Sequence, residues 1–406
     1  MTATAARRPE LAPAVSPTIS GWLTFTFAAA CGLVAANLYY GQPLAGPISQ
    51  ALGFDPAATG LIVTLTQIGY GLGLLLIVPL GDLLENRGLV TLLVMVTAVA
   101  LLGGAFSASP AEFLTAALCI GLASSAVQVL VPFAASMASD AERGKLVGNV
   151  MGGLLTGIML ARPAASFLSQ ATSWHVVYIA SAALMVVLAV VLRLILPTRR
   201  PPAKLHYGQL LASMGHLART TPVLQRRSLY QASLFGAFSL FWTTTPLLLA
   251  SPAYGLTQIG IALFALAGAA GAIASPIAGR LADRGLSTPA TAMAIVLSMA
   301  SFALAHLCGG GSVLQLVLLT IAGILLDFGV QTHAVLGMRA IYQISGEHRS
   351  RLNGLYMASA FGGGAIGSAV GGWAYATGGW SLTSWVGLCF PLVALIAFLT
   401  EKRGRR

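Results

Sequence analysis

Runs of about 20 apolar residues recur twelve times along the chain, and they restrict its fold more than any other feature. They lie at roughly 22–45, 57–80, 89–108, 112–138, 146–168, 174–196, 228–250, 257–279, 288–308, 313–341, 351–373 and 379–400. A helix of that length spans the hydrocarbon core of a bilayer. The sequence therefore predicts an all-α integral membrane protein with twelve transmembrane helices. Composition agrees: 57% of the 406 residues are hydrophobic and only 8% are charged, whereas soluble domains carry about 25%. That charge cannot cover a water-exposed surface, so the solvent must be lipid.

The net charge of +11 invites a nucleic-acid reading, but the placement of the charges argues against it. Arg7 and Arg8 precede span one, Arg87 lies between spans two and three, and Arg143 and Lys145 between four and five. Seven basic residues lie from Arg193 to Arg227, between spans six and seven. Arg280 and Arg284 follow span eight, Arg349 and Arg351 follow span ten, and Lys402, Arg403, Arg405 and Arg406 end the chain. The alternate loops (46–56, 106–111, 169–173, 251–256, 309–312, 374–378) have no Lys or Arg. Cytoplasmic loops carry the basic excess, so both termini are expected in the cytoplasm of a multi-pass inner or plasma membrane protein. Span one lacks a small-residue cleavage signal and is expected to be retained.

Glycine is abundant, at 46 residues, as suits close helix packing in lipid. The four cysteines (Cys31, Cys119, Cys308, Cys389) show no CxxC spacing, so neither a disulfide framework nor a metal site is implied. No GxxxxGK[ST] motif and no catalytic cluster appears. The expectation is a protein that is not an enzyme, needs no cofactor and does not run on ATP.

The chain repeats itself. Arg143, Lys145, Gly148, Met151, Gly157 and Trp174 have like residues 206 positions later, at Arg349, Arg351, Gly354, Met357, Gly363 and Trp380. Upstream the offset is 203, relating Pro43 to Pro246 and Gln128 to Gln331. This predicts an N-terminal tail (1–20), a six-helix bundle (21–196), a cytoplasmic linker (197–227), a second six-helix bundle (228–400) and a short tail (401–406). Two such bundles place a substrate site near the midplane between them. In the linker, Leu210, Met214 and Leu217 have helical spacing; a short amphipathic helix and a solvated linker both remain open.

The loop after span two carries Gly81, Asp82, Glu85, Arg87 and Gly88, and the loop after span eight Gly279, Asp283, Arg284 and Gly285. With the span count, the repeat and the long central loop, these resemble the major facilitator superfamily. NLYYGQP (37–43), GLLTGIMLARP (153–163) and LLDFGVQ (325–331) are similar to bacterial members near the drug:proton antiporter branch. The resemblance implies two pseudo-symmetric bundles, a monomer, and a gating role for Asp82, Glu85, Arg87, Asp283 and Arg284, which would latch the bundles in the outward-open state. Span five departs from the antiporter pattern: it keeps Gly148, Gly152, Gly153 and Gly157, but its only proline, Pro163, follows Arg162.

Asp327 is the only acidic residue well inside an apolar run. A carboxylate at that depth costs several kcal/mol unless it is paired, hydrated or protonated, so Asp327 is the candidate to load and release a proton. Permanent protonation or a purely structural hydrogen bond is the alternative. Gln331 shares its helix face and is expected to contact substrate or water. His333 is a second proton-coupling candidate, or a packing histidine. Arg162 is the only basic residue well inside a span and cannot shed its charge, so it needs an anion: Asp327, a substrate or a lipid headgroup. Spans one, four, seven and ten usually line the cavity in this superfamily, which adds Asn37, Tyr39, Tyr40, Gln128 and Trp242 as substrate contacts. Ser124 matches Asp327 in the repeat, so the acid occurs in one half only.

The function expected is a proton-coupled secondary transporter exporting a small organic or drug-like molecule by alternating access. Its partners would be substrate, protons and lipid, without nucleic acid. Uptake of an organic anion by proton symport is one alternative; a non-coupled facilitator or membrane sensor is another.

Overall fold

The computed structural model describes residues 20–139, 142–201, 206–344 and 348–403. The expected N-terminal tail, apart from Ser20, and the last three residues lie outside them, as does Lys204. Every regular element among the described residues is a helix. Eleven stretches are long and apolar enough to cross a membrane: Gly21–Leu52, Pro56–Asp82, Asn86–Ala105, Pro110–Met137, Arg143–Ala171, Trp174–Ile195, Pro222–Ala250, Gln258–Asp283, Ser287–His306, Val313–Tyr342 and Arg349–Glu401.

The last stretch has 53 residues, far more than the roughly 20 that one crossing needs. It breaks at Gly379, whose φ of 60° and ψ of −156° only glycine adopts without strain. Its two arms return to one level of span seven: Tyr356 donates to Gln231 Oε1 (3.3 Å), and Tyr230 donates to the Ala397 carbonyl (3.2 Å). The stretch therefore crosses twice, and the crossings among the described residues number twelve. The loop expected at 374–378 is instead helical, and the turn falls at Gly379.

Span one runs beyond its expected end, with a turn at residues 37–40 between the helices Gly21–Ala36 and Gly41–Leu52. The cause is local. Asn37 Nδ2 bonds the carbonyls of Leu33 (3.0 Å) and Val34 (3.1 Å), competing with the backbone ladder, and Pro43 and Pro47 have no N–H to continue it. Span eight tightens to a 3-10 turn at Leu266–Ala270, containing Gly268; such mid-helix tightening often marks a functional hinge.

Two large apolar cores result, with two small clusters around Tyr356 and Leu336 beside them. One is built wholly from the first six spans. The other centres on spans seven to twelve and takes in a few residues of the first half, among them Tyr39, Tyr70 and Ala161. The linker does form a helix, Tyr207–Thr220, which buries Leu210 and Met214. It ties to both halves: Tyr207 Oη donates to the Leu76 carbonyl (2.7 Å), and Ser213 Oγ accepts from Arg351 (2.7 Å).

Between the halves lies a cleft of about 610 Å³. Its floor holds Arg162 and Asp327, and its mouth carries Arg339, Tyr342, Gln343 and Arg349. Beyond the floor the halves are sealed by small residues. Thr64 Oγ1 and Ser368 Oγ lie 2.8 Å apart, and the backbones of Gly60 and Gly372 meet so closely that neither tolerates a Cβ. Gln67 Nε2 bonds Ser239 Oγ (2.8 Å), and the Gln258 N–H bonds Gln170 Oε1 (3.1 Å).

Candidate functional site

The floor of the cleft is assembled by four spans around Trp242. From span seven, its indole Nε1–H donates to Asp327 Oδ1 at 2.8 Å, while its ring face receives the Arg162 guanidinium at 4.4 Å. One side chain thus satisfies part of the carboxylate and part of the cation. Phe238 (5.0 Å) and Tyr39 (5.3 Å) complete an aromatic cage around Arg162; desolvated cation–π contacts contribute about 2 kcal/mol. Arg162 Nε donates to Gln42 Oε1 at 2.7 Å, and Nη2 is buried without a partner.

Arg162 and Asp327 are 3% and 6% exposed, and each is the other's strongest charged neighbour. A direct pair, one of the three partners open to Arg162 from the sequence, does not form: no Arg162–Asp327 contact falls within 4.0 Å. The two are held apart around Gly268. A Cβ there would stand 2.8 Å from Asp327 Oδ2 and 3.1 Å from Arg162 Nη1. The Trp242 ring lies 3.0 Å from the same point, so any side chain at 268 would collide with both charges and the indole between them. Arg162 is caged inside the protein, so it does not snorkel to headgroups.

The other expected site residues divide. Tyr39, Gln128 and Gln331 line the cleft with Arg162 and Asp327. Gln128 Nε2 bonds Tyr70 Oη (3.2 Å) and Gln331 Nε2 bonds Ser275 Oγ (3.0 Å), so the repeat-related glutamines hold matching positions. Asn37, Tyr40 and Trp242 do not line the cleft; Trp242 is buried against the two charges, and Asn37 accepts from Ser181 (2.6 Å) inside the first bundle. His333 is fully buried away from the cleft, its Nδ1 2.7 Å from Gln231 Oε1, and only Gln231 reaches the cavity.

The gating candidates each stay within their own half. Glu85 caps span three by accepting from the Arg87 and Gly88 N–H groups (2.9 and 2.8 Å), and Arg87 donates to the Leu196 carbonyl (3.3 Å). Asp283 pairs with Arg339 (2.5 Å). Asp82 is exposed and makes no ion pair within 4.0 Å; Arg351 across the halves is among its nearest charges. No bond among the described residues ties Arg284 to the other half.

Gln42 and Gly268 were missed in the sequence. Gln42 was signalled by being a polar residue in an apolar run. Gly268 had a fainter signal: the offset of 198 that relates Gly81 to Gly279 sets it opposite Tyr70, so a large side chain in one half faces none in the other.

The model of the Major Facilitator Superfamily matches residues 25–336. The chain is 38% identical over 370 residues to the uncharacterized transporter YgaY of Escherichia coli O157:H7, covering 91% of this chain and 93% of that one. It is 33% identical over 350 residues to the probable transporter SCO4007 of Streptomyces coelicolor, covering 86% and 80%. Among solved structures, the nucleoside transporter NupG superposes with a TM-score of 0.74 at 17% identity, covering 93% of this chain and 98% of that one. A bacterial homolog of the human lysosomal transporter Spinster, inward-facing and unoccupied, gives 0.70 at 13%, covering 94% and 96%. With its multi-pass helical fold and its cleft between two bundles, the chain is a membrane transporter, not an enzyme, and it belongs to the major facilitator superfamily.

Proposed function

We propose that this transporter couples proton movement at Asp327 to the export of a small amphipathic organic molecule. The observation that carries the reading is that Asp327 and Arg162 both line the floor of the cleft, buried, opposite in sign and out of direct contact. Buried charges that do not pair directly leave their desolvation cost only partly offset, which a third group can relieve. A proton and a substrate group can each neutralise Asp327, and competition between them links the two fluxes. Arg162 cannot give up its charge, so Asp327 is the member of the pair that exchanges protons. Rocking of the bundles then exposes the site alternately to the two sides. The mouth carries Arg339 and Arg349, so the charge rule assigns it to the cytoplasm, together with both termini. In an export cycle, a cleft open to that side is the state that loads substrate.

The test is transport in proteoliposomes. Asp327→Asn is expected to abolish accumulation driven by a pH gradient while exchange of labelled substrate across the membrane persists. Normal gradient-driven accumulation by that variant removes Asp327 from the coupling.

One observation favours a second reading, the uptake of an organic anion with a proton: Arg162 Nη2 is buried without an acceptor. The direction of flux in inverted vesicles separates the two.

A further inference from the structure

The shape of the cleft floor narrows the substrate class, and the argument rests on the floor being the substrate site. Asp327 uses Oδ1 for Trp242, and its Oδ2 lies beside Gly268. Arg162 uses Nε for Gln42, has Nη1 beside the same glycine, and has Nη2 buried without a partner. Both charges line the floor of one cleft, with a gap wider than 4.0 Å between their charged atoms.

A simple organic cation entering there would meet Asp327 but also the fixed charge of Arg162. A simple organic anion would meet Arg162 but also Asp327. A ligand with both charges a short distance apart satisfies both walls and adds no net charge to a buried site. The rest of the cleft fixes the remainder of the ligand. From the gap to the mouth it is walled by Phe238, Phe235, Phe361 and Tyr70, and its 610 Å³ exceeds what a small charged head fills.

We infer that the substrate is an amphipathic zwitterion, with an ammonium toward Asp327, a carboxylate toward Arg162, the two one carbon apart at the cleft floor, and an apolar or aromatic body along the phenylalanine wall. Its ammonium takes the place of the proton on Asp327, so zwitterion and proton exclude each other.

The experiment is equilibrium binding of tritiated L-phenylalanine and L-tryptophan to the purified full chain in lipid nanodiscs, near neutral pH and without a gradient. The competitors are L-phenylalaninamide, which keeps only the ammonium, and N-acetyl-L-phenylalanine, which keeps only the carboxylate. Each is expected to compete at least about tenfold more weakly than the parent, because each leaves one buried charge unpaired. Gly268→Ala, whose methyl would press on Asp327, Arg162 and Trp242 and so disturb the spacing of the two charges, is expected to weaken the parent by at least about tenfold and the two single-charge analogues much less. Absence of saturable binding of either amino acid overturns the assignment, as does equal competition by either analogue. The competitor series needs no variant and stands even if Gly268→Ala fails to fold. A zwitterion that binds as described but is not driven by a pH gradient refutes proton coupling and leaves the substrate class intact. Gradient-driven transport of a simple cation or anion, with no zwitterion bound, does the reverse.

Discussion

In the N-terminal half the position matched to Asp327 is Ser124, and in the C-terminal half the position matched to Arg162 is Ser368. Ser124 is fully buried with its hydroxyl unpartnered, while Ser368 bonds Thr64 in the seam that closes the halves beyond the cleft. The aromatic positions match more closely: Tyr39 and Trp242 are related by the offset of 203, as Ser124 and Asp327 are, and both stack on Arg162. The two halves thus share a scaffold and divide the charge, one sign each. Rocking would leave two charges on the same bundle at a fixed spacing. With one on each, any tilt alters the spacing, and so the electrostatic cost of the empty site changes with the motion itself.

The strongest way to break this comparison is to move the acid to the other half. Ser124→Asp combined with Asp327→Ser is expected to cut substrate transport in proteoliposomes by at least about 100-fold, because a carboxylate at 124 lacks both the indole donor and the guanidinium. Substantial retained transport would mean that a deep carboxylate in either half suffices. Next in size is the seam. Gly60→Val is expected to force spans two and eleven apart, at a cost of about 1–3 kcal/mol, typical of overpacking. The share of molecules open at the Arg339–Arg349 mouth should fall about tenfold, read from labelling of a cysteine introduced at Val335, which lines the cleft. A milder contrast sets the matched aromatics against each other. Trp242→Phe removes the donor to Asp327 and should weaken substrate binding about tenfold, the value of a hydrogen bond to a charged group. Tyr39→Phe keeps the ring face over Arg162 and should stay within about twofold. The smallest effect is expected from Gln170→Ala, which deletes one exposed bond to Gln258 across the halves and should shift the same labelling equilibrium by about 0.5–1.5 kcal/mol.

Much of the architecture could be read from residue patterns. Apolar length set the crossings, and only the turn at Gly379 fell outside the expected loop, because a single glycine with positive φ reverses the chain without any polar punctuation. Asp327 and Arg162 stood out because deep charge is costly enough to be rare. What the pattern hid was direction. Asn37 and Gln42 sit five residues apart in span one, yet the turn at 37–40 sends Asn37 to Ser181 in the bundle interior and Gln42 to Arg162. For His333 direction was legible: six residues beyond Asp327 is roughly the opposite side of the helix, and it points away from the cleft to Gln231. Gly268 was hidden for another reason: its contribution is an absent side chain, which matters only once the groups facing the gap are known.

The separation of Arg162 from Asp327 by an indole also decides how the membrane potential can act. With the acid ionised the floor carries no net charge, and a zwitterion leaves that unchanged, so both forms would cross their conformational step without sensing voltage. Adding a proton makes the floor a monocation, on which each 100 mV acts with up to about 2.3 kcal/mol. In the proposed cycle an interior-negative potential therefore pulls only the proton-bearing carrier inward. The electrical work enters at that one leg, and export would become electrogenic through its return stroke.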